Sequence, residues 1–175
     1  VNAGDFFPNI VGPAMDLLVD VTGGRIKQSD AANVMLVAIA GQESDWRHRR
    51  QVGGPARSYW QFEQGGAVAG VMNHSSTGAF ARKLFERLDI GEPSLGPWVA
   101  PSTRTVYEAM AWHDLLAGGM ARLNLWWKPQ ALPAVGDEAG AWAYYLDTWR
   151  PGKPHPEKWP KVYAAAMAAV KPVTT

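Results

Sequence analysis

Ser29 to Ser44 reads SDAANVMLVAIAGQES. Ser29 suits an N-cap, since its hydroxyl can accept a first-turn backbone N–H, and Asp30 suits the positive end of the helix dipole. From about Asp30 to Gln42 the segment is apolar on nearly every side of a helix. A helix of that kind is buried all round. It therefore holds whatever lies at its C-terminus rigidly, and what lies there is a carboxylate, Glu43.

A carboxyl held against apolar walls loses water, and desolvation favours its protonated form. The negative end of the helix dipole acts in the same direction. Such a group can serve as a general acid near neutral pH. The alternative is a helix-end glutamate in solvent or paired with Arg47. The residues that follow favour the first reading. In QVGGPARSYWQFE, residues 51–63, Gly53 and Gly54 permit positive φ or close backbone approach to a ligand. Tyr59, Trp60 and Phe62 offer stacking surfaces, and Gln61 offers an amide for hydroxyl or N-acetyl groups. Together they suit a sugar chain in a groove. A tight turn with a small aromatic cluster explains the glycines, but not Gln61 and Glu63 among the rings.

The rest of the chain reads as one predominantly α domain over residues 1–175. Apolar residues at helical spacing predict a helix over PNIVGPAMDLLVDV, ended by Gly23–Gly24. A helix is expected to restart at Gly65 and run through Val71. An amphipathic helix follows in STGAFARKLFERLDI, with Phe80, Leu84, Phe85 and Leu88 on one face. GEPSLGPWVAPS is a loop. Ser102 caps a long helix to Trp127, with a break expected near Gly118–Gly119. EAGAWAYYLDTW is another helix, RPGKPHPEKWP a rigid turn and KVYAAAMAAV the last helix, with a frayed tail after Pro172. SYWQFE is expected to hold short extended pieces.

Composition narrows the function. The net charge is +1, so charge gives no argument for nucleic acid, whose partners carry a concentrated basic patch. The run Arg47–Arg50 reads as a solvated or locally paired turn. Cysteine is absent, which removes disulfides, thiol nucleophiles and cysteine-based zinc sites. The four histidines show no pair at H-E-x-x-H spacing, so neither metal nor cofactor is expected. No apolar run approaches the ~18 residues that would span a bilayer, and no secretory signal is visible at the start. Nine tryptophans are many for this length, and their faces fill cores or stack on sugars.

Glu43–Ser44, a spacer, and then GGPARSYWQF with Gln61 resemble the lysozyme-like lytic transglycosylases. In that family a Glu-Ser pair ends a buried helix, and a Gly-rich segment closing on Met-Gln follows at a similar distance. Tyr59–Trp60 stand here where the family has Leu-Met. RRQVGGPAR and YYLDTWRPGKPHP look most like phage-encoded members. The resemblance implies a lysozyme-like fold with a buried central helix and a short turn or β-like segment after it. It implies binding roles for Ser44, Gly54, Tyr59, Trp60, Gln61 and Asn124. It also implies a late tyrosine, Tyr144 or Tyr145, on the catalytic carboxyl. The family's Ala-Tyr-Asn-x-Gly segment has no clean match around Asn124.

The activity so implied is cleavage of the β-1,4 bond between N-acetylmuramic acid and N-acetylglucosamine in peptidoglycan. Glu43 would act first as acid and then as base, leaving a 1,6-anhydro end. A hydrolytic muramidase would need a second carboxylate, ~6.5–9.5 Å away if inverting or ~5–5.5 Å if retaining. Glu63 is the best candidate and Asp45 the next. A non-catalytic glycan-binding or virion structural domain and a chitinase-like hydrolase are the rivals. A cation beside Glu43 would spoil it as an acid, so Arg47, Arg49 and Arg50 are expected to point away. The expected setting is the bacterial cell wall, reached by a monomeric, host-lysis or virion-associated protein without membrane insertion.

Overall fold

Ser29 behaves as its side chain predicts. In the computed structural model, which describes residues 1–90 and 100–170, its Oγ accepts the Ala32 N–H at 3.2 Å and opens helix α3, Asp30–Ser44. Every residue from Ala32 to Gln42 is buried. Full burial of a side chain such as Leu36 or Ile39 contributes about 1.5–3 kcal/mol, so α3 is the axis of the core. It runs on to Ser44, one half-turn past the expected end.

Other helices pack around it. Asn2 caps α1, Ala3–Phe6, which passes through a wider π-turn at Phe7–Val11 into α2, Gly12–Val21. The helix expected from Pro8 thus begins earlier, because Pro8 sits where the π-turn asks nothing of its missing N–H. α4, Ala69–Asn73, follows a π-turn at Gln64–Val68, and α5 spans Gly78–Arg87. Leu84 and Phe85 of α5 are buried as its pattern predicts, and Phe80 and Leu88 pack half-buried beside them. The expected loop at 91–102 falls partly, and the tail after Pro172 wholly, outside the described residues.

The long helix expected after Ser102 is two helices. Ser102 and Thr105 form a reciprocal capping box on α6, Thr103–Ala109. The chain then turns, and His113 becomes the N-cap of α7, Asp114–Trp126. The break therefore falls before Asp114, whose charge suits a first turn. Gly118 and Gly119 continue the helix because α7 packs closely on α2 and α5. A β-carbon at Gly118 would stand 2.7 Å from Ala14 Cβ, and one at Gly119 would overlap the Leu84 methyl. α8, Glu138–Trp149, is capped by Asp137, and α9, Trp159–Ala169, lies against α3.

After α3 the chain reverses through two left-handed residues, Asp45 (φ 53°) and Trp46 (φ 55°). Trp46 folds back along the helix and donates its Nε1–H to Val37 O at 2.8 Å. Its ring covers Gly41, where any β-carbon would collide with it. The expected extended pieces are isolated antiparallel bridges, Arg50 to Arg57 and Arg57 to Phe62, and the described residues form no strand. One apolar cluster runs from Ala3 to Val170, and the fold is mainly α.

Candidate active site

A cleft of about 700 Å³ opens beside the C-terminal end of α3. Glu43 and Gln42 line it from the helix. Gln51, Gln61, Phe62 and Glu63 line it from the following turn, and Tyr145 and Trp149 from α8. The segment 150–155 closes one side with Arg150, Lys153 and His155.

Glu43 is only partly exposed. Burial pushes its carboxyl above the ordinary range, against the opposing effects of a hydrogen bond from Tyr145 and the charge of Lys158. Desolvation is the largest of the three. The Tyr145 hydroxyl donates to Glu43 Oε1 at 2.6 Å. Its own phenol is pushed well up by burial and by the neighbouring carboxylate, so it stays a donor. The Tyr145 ring is one corner of a three-ring cluster, stacked on Trp159 at 5.3 Å and tilted against Trp142 at 5.2 Å, with Trp142 and Trp159 themselves 5.3 Å apart. This leaves Oε2 as the oxygen able to carry or release a proton.

Lys158 holds the helix end. Its ammonium donates to Gln42 O at 2.8 Å and pairs with Asp45 at 2.9 Å, meeting the free carbonyls and negative pole that every helix C-terminus presents. It is also the cation that acts on Glu43, which the sequence did not foretell. None of the ion pairs among the described residues involves Glu43. Arg49 makes a two-pronged pair with Asp114 at 2.7 and 2.8 Å and covers the Tyr59 ring.

The other expected site residues divide. Gln61 lines the cleft, at a left-handed φ of 51°. Its Nε2 is spent on Ser58 O at 2.7 Å and His48 O at 3.1 Å, so its carbonyl oxygen is what remains for a ligand. Glu63 lines the cleft and is exposed. Tyr145, not Tyr144, reaches Glu43. Neighbours on a helix point about 100° apart, and the Tyr144 hydroxyl donates instead to Leu125 O at 2.9 Å.

Tyr59 and Trp60 correct the stacking expectation. They are 1% and 0% exposed, so neither ring has a face for a sugar. Both pack on Phe6, at 5.0 and 5.6 Å, and Trp60 donates its indole N–H to Leu36 O at 2.9 Å. The Trp60 carbonyl in turn accepts the Trp149 indole N–H at 3.0 Å. Ser44 is buried and bonds back to Ala40 O at 2.9 Å. Asn124 is buried in α7, where its Oδ1 accepts from Trp127 at 3.2 Å. Gly54 lies against the Gln51 side chain. Ser44, Gly54, Tyr59, Trp60, Asn124 and Tyr144 are not among the residues lining the cleft.

Gln42, Gln51, Trp149, Arg150, Lys153 and His155 line the cleft without having been singled out. The proline-rich RPGKPHP was legible as a rigid turn, and its place in the same cleft as Glu43 was not. Comparison with protein families, with curated proteins and with solved structures returns no match. No helix among the described residues is long and apolar enough to cross a membrane.

Proposed function

We propose that this chain cleaves the glycan strand of peptidoglycan at the bond from N-acetylmuramic acid to N-acetylglucosamine, as a lytic transglycosylase. The observation that carries the reading is Glu43, held by a buried helix at the floor of a saccharide-sized cleft and kept easy to protonate by burial. The resemblance of Glu43–Ser44 and the Gln61 segment to the lysozyme-like lytic transglycosylases supplies the substrate.

In this reading protonated Glu43 donates its proton to the glycosidic oxygen as the C1–O bond breaks. The oxocarbenium-like centre is stabilised by the ionised carboxylate and the N-acetyl group. The carboxylate then takes the proton of the muramyl C6 hydroxyl, whose oxygen bonds to C1 and closes the 1,6-anhydro ring. Glu43 ends protonated, as it began, and no water is consumed. Tyr145 holds Oε1, so that Oε2 performs both transfers. Lys158 favours the ionised state between them.

Glu63 in the same cleft favours a second reading, a hydrolytic muramidase with Glu63 activating water or attacking C1. The test is turnover of purified cell walls with mass spectrometry of the products. The lyase yields anhydro ends, lighter by one water than the reducing ends of a hydrolase. Glu43→Gln should reduce lysis by a factor of about 10² to 10⁴, the usual worth of a positioned acid. Wall lysis by Glu43→Gln at the wild-type rate would refute the assignment.

A further inference from the structure

One wall of the cleft is the segment after α8, and it carries two exposed cations. Arg150 donates Nε–H to Asp147 O at 3.2 Å and lies in the field of the Asp147 carboxylate, which Lys128 pairs at 2.5 Å, so no ion pair among the described residues holds its terminal guanidinium nitrogens. Lys153 has no ion-pair partner among the described residues. Both line the cleft that contains Glu43. Arg150 and Lys153 thus present positive charge to the cleft without forming an ion pair with Glu43.

The segment is also held in place. Pro151, Pro154 and Pro156 fix three φ angles. At one end Trp149 donates to Trp60 O at 3.0 Å, and at the other Gln42 Nε2 donates to His155 O at 3.0 Å. Charges on a stiff, anchored segment lose less freedom when they bind than charges on a loose loop.

We infer that Arg150 and Lys153 form a carboxylate-binding subsite, so that the cleft selects glycans bearing acidic substituents over neutral ones. The inference rests on the glycan-cleaving reading of the site. In a muramyl glycan the acid is either a free lactyl carboxylate or a carboxylate of the attached peptide. A planar guanidinium suits a carboxylate through paired N–H donors, and the lysine adds a point charge.

The test measures binding to Glu43→Gln, whose slowed turnover should leave the ligand intact during the measurement. Three ligands of equal length serve: a neutral N-acetylglucosamine oligomer, a peptide-free muramyl oligomer with free lactyl acids, and the peptide-bearing form. One or both acidic ligands should bind more tightly than the neutral one, and whichever does identifies the source of the carboxylate. Partly solvated ion pairs of this kind give a preference of roughly fivefold to tenfold for two charges, shrinking as salt rises. Adding Arg150→Gln and Lys153→Gln should bring the ratio toward one, and Lys153→Arg should retain it. Equal binding of acidic and neutral glycans, with wall lysis by the wild type intact, overturns the inference alone. An unchanged ratio in the double glutamine variant does the same. Failure to bind any of the three, together with no lysis, overturns the proposed function and the inference with it.

Discussion

Tyr145→Phe removes one oxygen, the donor at 2.6 Å from Glu43 Oε1, and keeps the ring that stacks on Trp159 and packs at a tilt on Trp142. Little cavity is left, so the cost is that of the hydrogen bond. A bond to a charged acceptor is worth about 1.5–3 kcal/mol, and a neutral one about 0.5–1.5 kcal/mol. In a domain of this size each kcal/mol moves Tm by roughly 2–4 °C. The variant should therefore melt about 3–12 °C below wild type at pH 8, where Glu43 is the more ionised. The sign follows from linkage. Glu43 has a raised carboxyl in the folded state, so folding loses stability as pH rises from the unfolded value through the folded one. Losing the Tyr145 donor raises that carboxyl further and extends the loss to higher pH. At pH 4, where the folded carboxyl is protonated, the Tm deficit should fall to about half. Scanning calorimetry from pH 4 to 8 checks this. A deficit independent of pH, or none, would refute the hydrogen bond as a bond to the carboxylate. If the chain is lytic, the alkaline limb of its pH profile should move upward.

Glu43→Gln should raise Tm at pH 8, where wild type bears the cost of ionising a desolvated carboxyl, and the gain should vanish by pH 4. Melting curves at the two pH values decide it. Lys158→Met removes the cation at the end of α3 and its partly exposed pair with Asp45. It should lose about 1–2 kcal/mol, or roughly 2–8 °C in Tm, measured by urea or thermal unfolding. Gly119→Ala adds the best helix former, worth about 1 kcal/mol. It also forces a methyl into Leu84, at about 1–3 kcal/mol, so the variant should be less stable on urea titration. A stabilised Gly119→Ala would contradict the close packing of α7 on α5.

Some of this was readable before any coordinates. α3 was legible because its cap is local and its residues are apolar on every side. Glu43 was legible because a rigid element ends beside it. Ser102 was legible for the same reason as Ser29. The inward turn of Tyr59 and Trp60 was not. Outside helices and strands no periodicity marks a side, and an aromatic suited to a sugar is equally suited to a core. Here the core won, since Phe6 and the Leu36 carbonyl wait there for the ring and the N–H. The choice between Tyr144 and Tyr145 depended on the rotation of α8, which packing sets. The break before Asp114 was hidden because a histidine cap is a weak local signal, while the adjacent Gly118 and Gly119 are a stronger local signal for a break and lie inside α7. Arg150 and Lys153 lie more than a hundred residues from Glu43, so their place in the cleft belongs to topology alone.

Trp60 joins the floor of the cleft to its wall: its indole donates to Leu36 in α3, and its carbonyl receives Trp149 at the end of α8. One residue with no access to solvent, through its side chain on one side and its backbone on the other, thereby acts as a strut between α3 and the end of α8. A groove braced in this way should keep one width whether or not a ligand is in it. Substrates should meet a die rather than a jaw, and ligands of the wrong girth should be refused at entry instead of being gripped and released.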